Sequence, residues 1–443
     1  MRAAATTVPA APEQMRRGAC PALSAPMQTG DGLLVRLNLA EGGMTPAQLQ
    51  ALCDLAARHG NGIVEVTARG SFQIRGLTAA SAPLLEADVA ALALSLREGV
   101  PVETSPLAGL DPDELADPRP LVRAIRAGTE TAGLADRLGP KVSVVVDGGG
   151  SVDLSGILAD VRLTARRGED GIDWRVAIGG TAATARPVAM LDAAGAIAAA
   201  LAVLEAVAAL GTSGRARDLT LPPPPEPVLG PAFGQTRGAV PLPRFAGEEP
   251  GPRTAATPVV PPFMGEGNHA QRGEEGVVPL PDARLALAAA LPFGSMEAGA
   301  LAAFAQAAAR HGVADIRLAP GRSLILLCPT PDAARGVAGE ARRHGLILDA
   351  DDPRRNIAAC PGAPACASGR IATREIARRL AAGGRLAGSV HVSGCEKGCA
   401  HPAPADFVVA GTGAGIALIR RGRAADTPFA TVADIDAALA ALH

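Results

Sequence analysis

The sequence predicts an α+β protein whose plan is used twice, and three observations lead there: an internal repeat, a cysteine set confined to the second half, and a Pro/Gly-rich stretch between the halves. Met44 to Ile74 reads MTPAQLQALCDLAARHGNGIVEVTARGSFQI, and Met296 to Ile325 reads MEAGALAAFAQAAARHGVADIRLAPGRSLI, at an offset of about 251 residues. Each has a helix start, apolar residues at helical spacing and an Ala-Arg-His-Gly helix end. Two short strands joined by a Gly-containing turn follow. A strand-like run precedes each copy, Leu33 to Leu39 and Leu285 to Leu291, so both halves read β-α-β-β. That order suits the split βαβ, ferredoxin-like plan, in which helices cover one face of an antiparallel sheet.

The repeat continues into a second unit in each half. Thr104-Ser105-Pro106 falls where Ala359-Cys360-Pro361 falls, and the strand expected over Lys141 to Asp147 falls where Ser389 to Gly394 does. Between the halves, residues 221–281 carry PPPPEP and many glycines without periodicity, which reads as a connector. His59 and His311 close equivalent helices and read as C-terminal caps, where imidazolium suits the helix dipole.

At 443 residues the chain has room for two to four domains with large cores. Its 48% hydrophobic content is inflated by alanine. The longest apolar stretch, Ala193 to Leu210, is interrupted by Glu205 and reads as a helix of a soluble protein, so no membrane partner is expected. Met1 to Arg17 lacks the apolar region of a signal peptide, and the expected location is the cytoplasm. A net charge of −2 offers no global basic surface, which argues against nucleic acid and leaves any anion site local.

Four of the seven cysteines carry the chemistry. Cys360 and Cys366 stand in Cys-Pro-Gly-Ala-Pro-Ala-Cys; after 28 intervening residues Cys395 and Cys399 stand in Cys-Glu-Lys-Gly-Cys. Thiolates are soft ligands suited to iron–sulfur clusters or tetrahedral zinc. Structural zinc knuckles usually hold two to four residues between cysteines, so the five-residue gap favours a [4Fe-4S] cluster over zinc or over free or disulfide thiols. Seven cysteines are too few for a secreted disulfide framework. Cys20, Cys53 and Cys328 sit among apolar residues and read as packing residues.

A duplicated ferredoxin-like unit with C-x5-C and C-x3-C resembles the nitrite and sulfite reductase family, over roughly residues 24–220 and 281–443. The resemblance implies duplicated ferredoxin-like half-domains plus two sulfite-reductase-like α/β domains in pseudo-twofold symmetry. It divides the chain into 24–103, 104–220, the connector 221–281, 282–350 and a cluster-binding 351–443. It further implies a [4Fe-4S] cluster on Cys360, Cys366, Cys395 and Cys399, the last bridging to a sirohaem iron. The segment VEVTARGSFQIRG looks like the family's tetrapyrrole-binding strand pair, with Arg69 at its turn and Gln73 and Arg75 on one face of the next strand. Arg36 on the neighbouring strand joins them, because guanidinium forks suit carboxylates. The second-copy positions are Pro320, Leu324 and Leu326, so these polar residues are not a demand of the fold. The only two lysines, Lys141 and Lys397, fall within the motifs and complete the candidate substrate-binding set.

Departures from the family matter too. Its reductases use two lysines where this chain has Lys141 and Ser143, and an arginine near Val100 or Pro101, a gap Arg97 could fill. An anion-reducing site needs concentrated positive charge. The runs Arg16 to Leu37, Thr104 to Pro112 and Ser393 to Pro402 instead resemble an oxygen-dependent branch of the family in cobalamin biosynthesis. There a polycarboxylated macrocycle close to sirohaem is the substrate. This implies monooxygenation of precorrin-3A by O2, with C20 hydroxylation and γ-lactone closure, an electron donor (NADH or a reductase), and a further mononuclear non-haem iron. His391 and His401 are the nearest candidate iron ligands, against simpler readings as a core and a surface-loop residue. The alternatives are a sirohaem-[4Fe-4S] sulfite or nitrite reductase and, more remotely, an electron carrier.

Overall fold

The computed structural model describes residues 21–169, 171–220, 276–383, 388–401 and 403–441. Cys20, most of the 221–281 stretch and the start of the Arg16 to Leu37 run lie outside the described residues.

The first unit is an antiparallel sheet: β1 (Met27–Thr29), β2 (Gly32–Leu37), β3 (Ile63–Val66) and β4 (Phe72–Leu77), ordered β1-β2-β4-β3. Helix α1 (Pro46–His59) connects β2 to β3. It begins where the sequence says it should: the Thr45 hydroxyl accepts from the Gln48 N–H, Gln48 answers on the Thr45 N–H, and Pro46 occupies the first turn. Helix α2 (Ser81–Ala90) follows, and His59 bonds Asp88 on it at 2.7 Å instead of capping carbonyls. A short β5 (Val102–Glu103) opens the second unit, which continues with α3 (Arg119–Thr131), α4 (Leu134–Arg137), β6 (Val144–Asp147), β7 (Ala159–Arg167), β8 (Ile172–Gly180), β9 (Arg186–Leu191) and α5 (Ala193–Ala209).

The second half repeats this. Strands β10 (Val277–Pro279) and β11 (Leu285–Ala290), a short β12 (Ser295–Glu297), α6 (Ala298–Arg310), β13 (Asp315–Ala319), β14 (Ser323–Cys328) and α7 (Pro331–Arg343) form the third unit. The fourth holds β15 (Ile357–Ala359), α8 (Thr373–Ala382), β16 (Val390–Ser393), β17 (Ala405–Thr412), β18 (Gly415–Gly422), β19 (Ala430–Val432) and α9 (Ile435–Ala440). Val277–Pro279 lay inside the stretch read as connector, but its two β-branched residues pair with β11, with Pro279 at the end of the strand.

Symmetry shows in the pairing. The β5-β6-β7-β8-β9 and β15-β16-β17-β18-β19 sheets both have two parallel pairings followed by two antiparallel ones. The ferredoxin-like units exchange edges: Met296 on β12 sits opposite Val64 on β3, and Met44 sits opposite Ile316 on β13. Both pairs are related by 252 residues, which corrects the sequence offset of about 251. Arg69, Gln73 and Arg75 therefore correspond to Gly321, Ile325 and Leu327, not Pro320, Leu324 and Leu326. The uniformly apolar Leu-Ile-Leu-Leu run of β14 offers no alternation by which sequence could set its register.

One core joins the two ferredoxin-like units, running from Val35 through Leu49, Phe72, Leu301, Phe304 and Val337 to Leu348. Phe304 on α6 is fully buried there. Phe304→Ala is expected to lower stability by about 3–5 kcal/mol, within a single cooperative transition for both units. Denaturant unfolding followed by circular dichroism checks this; two separate transitions, or a loss near zero, would refute the shared core.

Candidate functional site

The two cysteine segments fold as nested loops. Cys360 leaves the end of β15 and its Sγ accepts from the Gly394 N–H at 3.1 Å. The chain turns at Gly362 (φ +64°), the Cys366 N–H returns to the Gly362 carbonyl at 2.8 Å, and the Arg370 N–H reaches the Gly394 carbonyl at 2.7 Å. A Cβ on Gly394 would lie 3.0 Å from the Gly362 Cα and 3.1 Å from the Gly369 Cα, so the loops nest only because these backbones are bare. The Thr373 hydroxyl donates to the Cys360 carbonyl and anchors the first loop to α8.

All four thiols line one cavity of about 530 Å³. Burial pushes the Cys360 and Cys399 thiols up, and neighbouring thiols add to the effect. Four mutually repelling thiolates need a positive body between them. Among the described residues no three Cys, His, Asp or Glu side chains close around a single ion. Four thiols on one cavity are a soft donor set of the kind an iron–sulfur cluster takes.

The facing wall belongs to the first half. Gly30, in the β1–β2 turn, lies against the cysteine loop so closely that a Cβ there would meet the Ala367 nitrogen at 2.4 Å. Arg75, 4% exposed, donates to Asp31 at 2.9 Å and to the Ala365 carbonyl at 2.7 Å, and lies 3.5 Å from Glu65. Burial disfavours its charge, but Glu65 and Asp31 outweigh burial and its pKa rises. Gln73 donates to Glu65 at 2.7 Å and accepts from Arg36 at 2.7 Å, while Arg374 on α8 closes the network on Glu65. Arg69 bonds Glu103 at 3.0 Å, the Leu158 carbonyl and, at 3.4 Å, Ser143. Lys397 bonds Ser368 at 2.9 Å.

Of the residues singled out in the sequence, Arg36, Arg69, Gln73, Arg75 and Lys397 line the cavity with the cysteines. Lys141 does not: it is exposed in the turn before β6, and its carbonyl accepts from Arg215. Arg75 is there, but its donors are taken by the protein, which makes it a brace for the cysteine loop and not a free carboxylate clamp. Two basic residues were missed, Arg322 and Arg374. Arg322 has φ +65° at the turn where the first copy has Gly70 (φ +78°), and Gly294 leaves it room. The signal was present, Ala-Arg-Gly-Ser against Pro-Gly-Arg-Ser, but the one-residue offset hid it. Burial and Arg374 lower the Arg322 pKa, with Glu65 opposing.

His391 on β16 is fully buried, yet neither ring nitrogen has a hydrogen-bond partner among the described residues. That corrects its reading as a satisfied core residue. Burial, His401 and Arg322 push its pKa down to about 4, so the ring is neutral near pH 7. The His401 ring, in the loop after the second cysteine pair, lies 5.8 Å away, edge-on.

The profile of the nitrite/sulfite reductase ferredoxin-like half domain matches residues 25–92. The Mycobacterium tuberculosis NirA protein superposes with a TM-score of 0.61 over 90% of this chain and 76% of its own, at 19% identity, and so shares the fold. A ferredoxin–nitrite reductase of Synechococcus elongatus is 27% identical over 33% of this chain and 31% of its own length. The Arabidopsis thaliana enzyme is 36% identical over 20% and 16%. Fold and cysteine loops thus define a nitrite/sulfite-reductase-like oxidoreductase. A precorrin-3B synthase of Sinorhizobium sp is 38% identical over 94% of this chain and 85% of its own length. The chain belongs to the precorrin-3B synthase family.

The Arg75 brace is testable. Arg75→Leu leaves Asp31 and Glu65 buried with less countercharge and is expected to cost about 3–5 kcal/mol. Lys397→Ala removes an exposed charge and should shift stability by less than about 0.5 kcal/mol. Thermal melts of the two variants decide; equal losses would remove the brace from the account.

Proposed function

We propose that this chain acts as a precorrin-3B synthase: it binds the polycarboxylated macrocycle precorrin-3A in the 530 Å³ cavity and catalyses its O2-dependent hydroxylation at C20 with γ-lactone closure. The carrying observation is the make-up of that cavity. Four thiols stand on one side, and six basic residues, Arg36, Arg69, Arg75, Arg322, Arg374 and Lys397, surround it against one carboxylate, Glu65. Met27, Leu34, Val66 and Phe293 add apolar wall of the kind a flat macrocycle needs.

Cys360, Cys366, Cys395 and Cys399 would hold a [4Fe-4S] cluster, which supplies single electrons beside the macrocycle when bound. The other residues bind and orient. Arg36, Arg322 and Lys397 offer charge-assisted hydrogen bonds to peripheral carboxylates. Arg75 and Arg374 hold the floor against the cysteine loop through Glu65. In the reaction one oxygen atom of O2 enters the macrocycle as hydroxyl and the other leaves as water, with two electrons from NADH or a reductase and the balance of the two protons from solvent. His391 and His401 alone do not make a mononuclear iron site, since no third ligand joins them among the described residues, and no step is assigned to one. The division expected from the sequence, 24–103, 104–220, 282–350 and 351–443, shifts at two boundaries, since β5 belongs to the second unit and β10 to the third; a set of four reduced thiols supports a cytoplasmic location. Among the described residues no helix is long and apolar enough to cross a membrane.

Glu103 argues against the sirohaem reductase alternative. It pairs with Arg69 and so thins the positive charge an anion-reducing site would need, and Ser143 stands beside that pair where the resemblance puts a second lysine in the reductases.

Anaerobic purification followed by iron, sulfide and tetrapyrrole analysis should give about four irons and four sulfides per chain without sirohaem. Cys366→Ser should lose that cluster, because a hydroxyl is a poor ligand for this soft centre; a variant with full iron and unchanged redox behaviour would overturn the ligand set. With precorrin-3A, reductant and labelled dioxygen, one labelled oxygen should enter the product. Stoichiometric sirohaem with steady sulfite or nitrite turnover, or an unlabelled product, would refute the function.

A further inference from the structure

Arg69 and Ser71 also border a second, smaller cavity of about 190 Å³. It is built against Thr104, Ser105 and Pro106, the first-half counterpart of the loop that begins with Cys360. The cavity thus lies at the pseudo-twofold position of the thiol site, in the half that has no cysteine ligands.

Its charges do not cancel. Five arginines line it, and three have acidic partners: Arg69 with Glu103, Arg119 with Asp117 at 2.7 Å, and Arg317 with Asp315 at 2.8 Å. The other lining carboxylate, Glu41, lies 3.7 Å from Arg123. Two guanidiniums remain. Arg97 makes no side-chain hydrogen bond or ion pair among the described residues, although Glu103 lies within electrostatic reach. Arg126 donates its terminal nitrogens to the Ala40 and Val102 carbonyls at 2.9 Å each, and its Nε is buried without a partner. The Thr104 hydroxyl, on the same wall, is likewise buried without a partner.

Burial lowers the Arg126 pKa and the Arg97 charge lowers it further, with only Glu41 opposing. Two partly buried like charges are unfavourable unless something anionic joins them. A small cavity lined by five arginines and two carboxylates is where such an ion fits.

We propose that this cavity is a second anion site, in which Arg97 on the lining donates to an oxyanion presenting at least two acceptor oxygens and the Arg126 charge, sealed behind the wall, adds attraction. That chemistry is shared by a free phosphate-class ion and by a carboxylate arm of a macrocycle seated in the larger cavity, since Arg69 and Ser71 form a wall common to both. The site stands whether or not the macrocycle reading does, because it rests on donors that touch none of the thiols.

The test uses the full-length, cluster-loaded protein in chloride buffer at constant ionic strength, titrated with inorganic phosphate in a calorimeter and in thermal melts. Wild type should bind one phosphate saturably and melt higher with it. Arg97→Gln should weaken binding by at least about tenfold while melting no lower than wild type without phosphate, since it removes repulsion. Arg126→Gln, which removes the charge behind the wall and no direct contact, should weaken binding about three- to tenfold. Adding uroporphyrin III separates the two sources: competition with phosphate assigns the site to a carboxylate arm, and independent binding assigns it to a free ion. Either result upholds the site. Absence of saturable phosphate binding, or equal binding by wild type and both variants, overturns it.

Discussion

A buried guanidinium holds the candidate site in shape. Arg75 sits on β4 of the first half, yet one of its donors reaches the Ala365 carbonyl in the middle of the first cysteine loop, 290 residues away in sequence. A cation this deep is tolerated only because Asp31 and Glu65 flank it. Those two carboxylates in turn set their neighbours. Asp31 lies in the β1–β2 turn that presses Gly30 onto Cys366, and Glu65 collects Gln73 and Arg374. Remove the cation and the turn, the loop and the cavity floor each lose a shared partner.

Duplication explains how such a link between halves can exist. The two ferredoxin-like sheets exchange edge residues at Met44–Ile316 and Met296–Val64, so each covers the other's open edge. With one core running through both, the halves cannot drift apart as separate domains do. Loops at the ends of the α/β sheets are then free to diverge on a rigid scaffold. After β15 the chain presents thiols; after β5 it presents Thr104 and Ser105 among arginines.

The electrostatics of the two cavities differ accordingly. In the larger one, six cations surround a single carboxylate beside four thiols, a setting that suits a polyanionic macrocycle next to an electron-transfer centre. The pairing of Arg69 with Glu103 lowers the positive potential on that side of the cavity, a local change of charge that leaves the scaffold as it is.

Much of this was legible in the residues. The helical spacing after Met44 and Met296, the Thr45 cap and the two hairpins are local patterns, and local patterns survive into the fold because they are satisfied within a few residues. The cysteine set was legible as well, since the type and spacing of soft ligands constrain what they can hold. What sequence alone left undecided was side-chain partnership across long separations. Nothing local says that Arg75 meets Ala365 and Asp31, that Lys141 faces solvent, or that Arg322 replaces Gly70 as the residue aimed into the cavity. Spacing and composition therefore determined the repeat and the cysteine motif, while only the tertiary structure decided which cations face the cavity and which brace it. The physical reason is that a guanidinium's role depends on which acceptors the fold brings within about 3 Å of it.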